Sequence, residues 1–380
     1  MRVLHYINNV RKGDLLSGYL STLATAQSRL GAVVSVVTRR DNFKAKLKEF
    51  RPDVVHIHSM WDFHVAIIAR QSLRKNCGVV LSPHGQLDAF RCRYEHRWGK
   101  IQKKWAYQRR MVARVDALMA TSDGEADRLR QLSWNDHIDV VPNSLLASRI
   151  ASADMAALSL RLYRKVIDTR YLHYMTAAEH EAVGVLLHTA IDTTPDGYLP
   201  KEKMEVFHGL DAVAWRRMFL CAADEGVLSL VKDAIEKLAL NISPVDTAAI
   251  ARYPSKHPKF EGALPSDKLL TDSDLKKEKW REVLEKEEAE LCSVVTLLLN
   301  SRILQRKGDL SMRHLCDLYA AIKYRDYDED RLRYLLSRFS AVGYARSVIA
   351  ALGGRLMLGE GFMPLPPKHD HRASSMMKTT

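Results

Sequence analysis

Short, continuous apolar runs recur through the first 150 residues and alternate with segments that have helical periodicity. The runs are rich in Val and Ile and lack the alternating polar positions of a half-exposed strand, which is typical of strands buried on both faces of a parallel sheet. The pattern therefore predicts an α/β domain with a parallel sheet and flanking helices. The predicted strands are Arg2–Asn8, Ala32–Thr38, Asp53–His58, Gly78–Ser82, Asp116–Thr121 and Ile138–Val141.

Capping residues support the helices that are predicted between these strands. Asp41 or Asn42 can cap one helix, and Ser122 or Asp123 can cap another in which Glu125 lies early enough to reach back toward the cap. Gly31 ends the first helix. The predicted helices are Leu20–Leu30, Phe43–Phe50, His64–Arg74 and Gly124–Leu132.

From about residue 151 the apolar residues follow a helical period, so an all-α C-terminal region is predicted. Thr176 and Glu179 form a plausible capping box within a helix pair, and Asp224 and Asp328 (or Asp326) are candidate caps further on. The expected helices span 154–191 (the pair), 212–219, 227–240, 275–304, 311–324 and 328–350. The predicted domains are 1–150 (α/β), 151–243 (helical), 244–274 (linker or surface loop), 275–362 (helical bundle) and 363–380 (disordered tail).

Composition narrows the class of protein and its partners. The chain has 380 residues and a formal net charge of +13, which favours an anionic partner such as nucleic acid, lipid headgroups or a phosphate-bearing metabolite. Five scattered cysteines without a Cys-x-x-Cys pair suggest neither a disulfide framework nor a thiolate metal site. No apolar run reaches the length of a membrane span, and the start lacks signal-peptide features, so a cytoplasmic location is expected.

A strongly basic segment covers Arg91–Arg114. Trp98, Ile101, Trp105 and Val112 fall near helical spacing on one side, and a separate basic stripe lies on the other. Two interpretations remain open: a surface that contacts anionic membrane or a phosphorylated acceptor, or a solvated helix whose tryptophans lie in the core. The residues of the basic stripe are Arg93, Arg97, Lys100 and Lys104.

Histidines at strand ends supply the candidate chemistry. His56 and His58 lie two residues apart and hence on one face of a strand, where packing or a pocket position is favoured over a metal pair. His84 follows another strand directly, at the edge where open α/β sheets bind ligands, although a purely structural histidine remains the alternative. Gly13 and Gly18 do not form a dinucleotide fingerprint and are either turn glycines or ligand-facing ones.

Five motifs then occur in a familiar order: PDVVHIH, SPHGQLD, a basic helix with YQRR, ATSDGE and IDVVPN. Together they resemble the N-terminal domain of family 4 glycosyltransferases, over about residues 1–147. The resemblance implies half of a B-type fold, one Rossmann-like domain of two. In that family the N-terminal domain holds the acceptor and the C-terminal domain a nucleotide-activated sugar as co-substrate. Transfer usually proceeds without a metal and needs no further cofactor.

The resemblance also implies roles for individual residues. His84 matches a histidine that faces the reacting sugar, Ser122 and Glu125 match residues that line the cleft, and Gly13 and Gly18 match a loop near the donor phosphates. The predicted catalytic residues are His84 and Glu125. The predicted substrate-binding residues are Gly13, Gly18, His58, Gly85, Asp88, Ser122 and Asn143.

The C-terminal half departs from the family pattern. Ser144 stands where the family places glycine, and no second set of β-α units is found after it. Glu360 begins a weak echo of the family's glutamate pair, but Lys368 occupies the second position. The sequence leaves three hypotheses, in order of preference: a glycosyltransferase-like protein of polysaccharide or glycan assembly, a non-catalytic scaffold with a helical interaction module, and a nucleic-acid-binding regulator.

The first hypothesis sets the expected partners. They are a glycan or lipid-linked acceptor, the anionic inner face of a membrane for peripheral contact, and a protein that supplies a donor domain. Nucleic acid is not favoured, because the last helices mix acidic and basic residues and leave no clean basic face. Whether the chain is active alone stays open.

Overall fold

The computed structural model describes residues 1–87, 102–146, 150–194, 199–242, 245, 250, 252–253 and 262–377. They form two compact units. The first unit comprises Met1–His173 together with a short segment that includes Tyr253, and the second comprises most of the remaining chain.

The first unit is built on a six-stranded sheet with the order β2-β1-β3-β4-β5-β6, in which every neighbouring pair is parallel. The central strands are fully buried, as the continuous apolar runs predicted. The predicted parallel sheet is therefore confirmed. The strands are β1 Arg2–Ile7, β2 Val33–Thr38, β3 Val54–Ile57, β4 Gly78–Leu81, β5 Ala117–Ala120 and β6 Ile138–Val140.

Polar N-caps begin most of the helices that cross between these strands. Asn42 and Ser122 are the caps among the predicted alternatives, and Asp14 and Asp62 cap two further helices; in each case the side-chain oxygen accepts a backbone N–H of the first turn. The helices of this unit are α1 Leu15–Arg29, α2 Phe43–Phe50, α3 Phe63–Arg74, α4 Arg109–Arg114 (preceded by a π-helical turn, Lys104–Gln108), α5 Asp123–Leu132 and α6 Ser152–Thr169.

Two apolar cores lie on opposite faces of the sheet. One includes Leu4, Val55 and Leu81, and the other includes Val3, Val54 and Val80. This alternation results from the two-residue period of a strand. The second core continues into α1 and α6.

Helix α6 belongs to the first unit, which extends to His173, whereas the sequence pattern predicts a separate domain from residue 151. The helix packs on the sheet because its buried side includes Leu162, Tyr163 and Val166. Its approach at Gly78 is so close that a Cβ there would lie 2.8 Å from Val166 Cγ1. Glycine is therefore required at the start of β4.

Every regular element that the structure describes in the second unit after Tyr174 is a helix, which confirms an all-α C-terminal region. Thr176 caps its helix by accepting the Glu179 N–H, as predicted. The helices are α7 Tyr171–Tyr174, which spans the boundary, then α8 Ala177–Ile191, α9 Lys201–Met204, α10 Ala212–Asp224, α11 Leu228–Lys237, α12 Asp274–Leu284, α13 Ala289–Lys307, α14 Met312–Tyr324, α15 Glu329–Arg338, α16 Val342–Leu356 and α17 His371–Met377, with 3-10 turns at Glu205–Phe207 and Glu360–Phe362.

Several predicted boundaries in this half were wrong. The single helix expected over 275–304 is two helices, α12 and α13, and the one expected over 328–350 is also two, α15 and α16. Ser340 adopts a left-handed conformation (φ 50°) between the latter pair, which interrupts the helix without a Gly or Pro to signal it. Asp224 ends α10 rather than capping α11, whereas Asp328 caps α15 as predicted.

The tail predicted to be disordered from residue 363 is instead packed. Leu365 and Ala373 are buried, and the Ser347 hydroxyl of α16 donates to Asp370. Within the predicted linker, residues 262–273 lie against the helices, because the Asn300 side chain donates to the carbonyl oxygens of Pro265 and Lys268. No helix among the described residues combines the length and hydropathy needed to cross a membrane.

Candidate functional site

The candidate site lies where β3 and β4 end. His58 follows β3, and Pro83-His84-Gly85 follows β4. His84 and Gly85 both have positive φ (49° and 76°), and this conformation is uncommon for a residue other than glycine. An unusual backbone at a strand end needs a specific restraint.

Glu125 supplies that restraint from helix α5. Its Oε1 accepts the Gly85 N–H at 2.6 Å, and its Oε2 accepts the Thr121 N–H at 2.8 Å and the Thr121 hydroxyl at 2.7 Å. The side chain is only 4% exposed. Both carboxylate oxygens thus accept backbone N–H groups, one of them from the His84 turn. A catalytic role for Glu125 stays a prediction.

His84, which is partly buried, lies at the end of a row of imidazoles whose other members, His58 and His5, are fully buried. His84 Nε2 lies 3.2 Å from His58 Nδ1, and His58 Nε2 lies 2.9 Å from His5 Nδ1. The row ends inside the protein, where His5 Nε2 lies 2.8 Å from the side-chain oxygen of Gln27 on α1. His5 and His56 meet because they are register partners on β1 and β3.

Burial keeps this row uncharged. Desolvation lowers the pKa of His5 to about 4, although the hydrogen bond to Gln27 opposes the shift. It also lowers the pKa of His84 to about 4, against the attraction of the Glu125 carboxylate. The pKa values of His56 and His58 are likewise well below the usual range for histidine, because of burial and then of their histidine neighbours. Near neutral pH the imidazoles therefore act as neutral hydrogen-bonding groups.

His5 forms a cluster of three with His56 and His58, and no sequence pattern indicated this third member. One ring nitrogen from each of the three can be chosen so that all lie within 4.8 Å of one another, and imidazoles are suitable ligands for zinc. However, every ring nitrogen already has a protein partner: those of His56 contact the Tyr163 hydroxyl (2.6 Å) and the Ser82 hydroxyl (2.7 Å). A metal would have to displace these hydrogen bonds.

Tyr19 is a further group that sequence reasoning missed. Its ring contacts His84 edge-on, with 5.2 Å between ring centroids, and its side chain is 1% exposed. The Tyr19 hydroxyl is buried without a hydrogen-bond partner among the described residues. Burial, and then the Glu125 carboxylate, raises its pKa, so it stays protonated. A water or ligand that accepts a hydrogen bond from such a buried hydroxyl removes the free-energy cost of leaving it unpaired.

The remaining predicted binding residues that the structure describes shape loops at the same edge of the sheet. Gly13 has φ 82° and needs glycine, whereas Gly18 lies in the first turn of α1 next to Leu145. The Asn143 side chain accepts the Leu145 N–H at 2.9 Å, and Ser122 caps α5. Asn143 and Ser122 thus bond to local backbone, and a contact with substrate stays a prediction for each.

The basic segment is described only in part. Asp88, Arg93, Arg97 and Lys100 lie outside the described residues, whereas Lys104 begins the π-helical turn and places its ammonium 5.6 Å from the Trp134 ring. Trp105 is 71% exposed, although Val112 is fully buried. Whether Lys104 shares a face with the other residues of the predicted basic stripe stays a prediction, because those residues lie outside the described part of the chain.

No curated protein matches this chain. Residues 36–145 match the family model described as Glycosyltransferase Family 4. This range holds β3 to β6, the His84 turn and its Glu125 restraint, and it corresponds to the N-terminal domain of such enzymes. Over residues 36–145 the N-terminal α/β domain of this chain is therefore similar to the N-terminal domain of family 4 glycosyltransferases.

Proposed function

We propose that this protein acts in polysaccharide or glycan assembly, with its N-terminal domain binding a glycan or lipid-linked acceptor at the His84 edge of the sheet. The observation that carries the proposal is the His84–Gly85 turn, held in an uncommon conformation by a buried carboxylate within a glycosyltransferase domain. A neutral imidazole suits the recognition of hydroxyl groups, in which sugars are rich.

The donor sugar is proposed to come with another chain. In family 4 enzymes a second Rossmann-like domain holds the nucleotide-activated sugar, whereas the described part of the second unit contains helices and no strand. Sugar transfer develops charge on a leaving diphosphate, which backbone N–H groups and basic side chains must stabilise. A partner that carries a donor domain would supply these groups.

Binding measurements on the purified chain test both parts. Calorimetry with methyl glycosides is expected to show binding that His84→Ala abolishes and the exposed control His369→Ala retains. UDP-glucose, UDP-N-acetylglucosamine and GDP-mannose are expected to give no heat. Tight binding of a nucleotide sugar would contradict the proposal that the donor site comes with another chain. Equal glycoside binding by wild type and His84→Ala would contradict the proposal that the acceptor binds at His84.

The basic segment is proposed to hold the protein at an anionic membrane. Exposed Trp105 beside Lys104 is an arrangement that suits the membrane interface. Flotation with vesicles containing phosphatidylserine should fall in Arg93→Glu/Lys100→Glu and persist in Lys44→Glu/Lys48→Glu, which makes the same charge change at exposed positions of α2. Equal flotation of the two variants would remove this role.

A non-catalytic scaffold is the second candidate. The helical second unit favours it, because helical surfaces commonly serve as interaction modules. A pull-down that recovers a chain with a donor domain, together with glycosyl transfer in the mixture, would support the first candidate. Acceptor binding that never leads to transfer with that partner would support the scaffold.

A further inference from the structure

The hydrogen bonds that link His84 to the interior run in one direction. The chain of contacts is His84 to His58, His58 to His5, and His5 to Gln27. Each neutral imidazole carries one N–H and one acceptor nitrogen. The position of the proton on the first ring of the chain therefore determines its position on every other ring.

Two hydroxyl groups on α6, those of Ser159 and Tyr163, together set the orientation of Gln27 at the inner end. The Ser159 hydroxyl donates its single proton to the Ala156 carbonyl oxygen at 2.7 Å and can therefore only accept from Gln27, whose Nε2 lies 2.8 Å away. Gln27 Nε2 also lies 3.1 Å from the Tyr163 hydroxyl, which can accept this bond while giving its own proton to His56 Nδ1. The amide nitrogen of Gln27 thus faces α6, and its carbonyl oxygen faces His5.

The orientation of the Gln27 amide determines which ring nitrogen of each histidine in the row carries the proton. His5 must carry its proton on Nε2 to donate to the Gln27 carbonyl oxygen, which leaves Nδ1 to accept from His58 Nε2–H. His58 Nδ1 then accepts from His84 Nε2–H. His84 is left with Nδ1 as its acceptor atom.

We infer that Gln27 is a positioning residue that sets the tautomer of His84 through His5 and His58. A ligand that reaches His84 must then donate a hydrogen bond to Nδ1, as a hydroxyl does and as a diphosphate oxygen does not. This second statement rests on the proposed function and deepens it: His84 selects the hydroxyl-bearing substrate rather than the leaving phosphate. The tautomer itself does not depend on that function.

Nitrogen-detected NMR on the full chain, labelled with ¹⁵N-histidine, tests the inference directly. At pH 7 His5, His58 and His84 are each expected as the neutral Nε2–H form, with ring protons that exchange slowly with solvent. An Nδ1–H form or an imidazolium at any of the three would overturn the inference. Stoichiometric binding of added Zn²⁺ with loss of these ring protons would also overturn it, since the row would then be a metal site.

Variants of the inner end separate positioning from packing. Gln27→Leu removes the acceptor opposite His5 Nε2–H and should turn the single tautomer of His84 into a mixture. Gln27→Glu restores an acceptor and should retain the single form, as should Ser159→Ala, in which the Tyr163 hydroxyl still accepts from Gln27. An unchanged His84 tautomer in folded Gln27→Leu would overturn the positioning role. If that variant does not fold, the wild-type spectrum still decides the assignment.

Saturation-transfer NMR with methyl glycosides separates the assignment of the His84 tautomer from its proposed role in substrate selection. Folded Gln27→Leu should lose the glycoside signal that wild type gives, and Gln27→Glu should recover it. Retention of the signal by Gln27→Leu would overturn the role of the tautomer in substrate selection. Expected tautomers without any glycoside signal in wild type would mean that the proposed function fails while the assignment of Gln27 stands.

Discussion

At the scale of single residues, the site depends on polar groups that act on each other rather than on exposed reactive side chains. Glu125 holds the backbone of Gly85, and the buried His58 and His5 hold the ring of His84 from inside the sheet. Groups of this kind are costly to bury unless every polar atom is paired. The pairing therefore makes a row of neutral imidazoles compatible with a stable core.

Removing the Glu125 carboxylate should destabilise the protein. Glu125→Ala leaves the Gly85 and Thr121 N–H groups without their acceptor, and each buried unpaired donor costs about 1–3 kcal/mol. The free energy of unfolding in urea should fall by roughly 2–5 kcal/mol. Asp127→Asn is the control on the same helix, because it removes only an exposed ion pair with Arg130 that is worth at most about 1 kcal/mol. Equal losses in the two variants would contradict the restraining role.

At the scale of elements, the close approach of α6 to the sheet decides which unit this helix belongs to. Apolar periodicity shows that a helix has a buried side but does not identify the surface that covers it. In the structure the contact is made at Gly78, where the absent side chain lets Val166 sit against the strand. The same helix places Ser159 beside Gln27 and Tyr163 beside His56.

A double-mutant cycle tests this contact. Gly78→Ala should reduce the free energy of unfolding by about 1–3 kcal/mol through overpacking, and Val166→Ala by a similar amount through loss of buried volume. The double variant should lose clearly less than the sum, because the smaller side chain at 166 makes room for the new methyl group. Additive losses would show that the two residues do not meet. Urea denaturation monitored by circular dichroism measures all four proteins.

At the scale of the whole molecule, an α/β domain that matches the Glycosyltransferase Family 4 model over residues 36–145 is joined to a helical unit in a chain with a net charge of +13. The charge favours anionic partners, and the buried histidines make stability depend on pH. These two properties differ in their response to salt. Surface charge is screened by salt, whereas the buried imidazoles respond to protons whatever the ionic strength.

The protein should lose stability as the pH falls from about 6.5 toward 4. His5 and His84 have folded-state pKa values of about 4, below the usual value of about 6.5, so in this window the unfolded chain binds more protons than the folded protein. Each group then costs up to about 3 kcal/mol by pH 4, at about 1.4 kcal/mol per pKa unit. Urea unfolding at pH 7.5 and 4.5 measures the loss, which should be smaller in His5→Gln. The exposed control His369→Gln should behave as wild type, and an unchanged loss in His5→Gln would refute the assignment.

The candidate site was only partly predictable from the sequence. His84, Gly85 and Glu125 were found because they belong to motifs that follow strands. His5, Tyr19 and Gln27 were missed, because each is a single polar residue in an apolar strand or helix and carries no local signal. The tail over residues 363–380 was predicted to be disordered because it is terminal, yet in its described part Leu365 and Ala373 are buried.

The sequence by itself determined that the first half forms a parallel α/β domain and the second half helices, because continuous apolar runs and an apolar period of 3.6 residues are local properties. It also showed the resemblance of the first domain to family 4 glycosyltransferases, through motifs such as the one that contains His84. Only the tertiary structure decided that β1 lies between β2 and β3, which brings His5 beside His56 and His58. Strand order, helix docking and the direction of a buried hydrogen-bond chain depend on contacts between distant residues, and no local pattern records them.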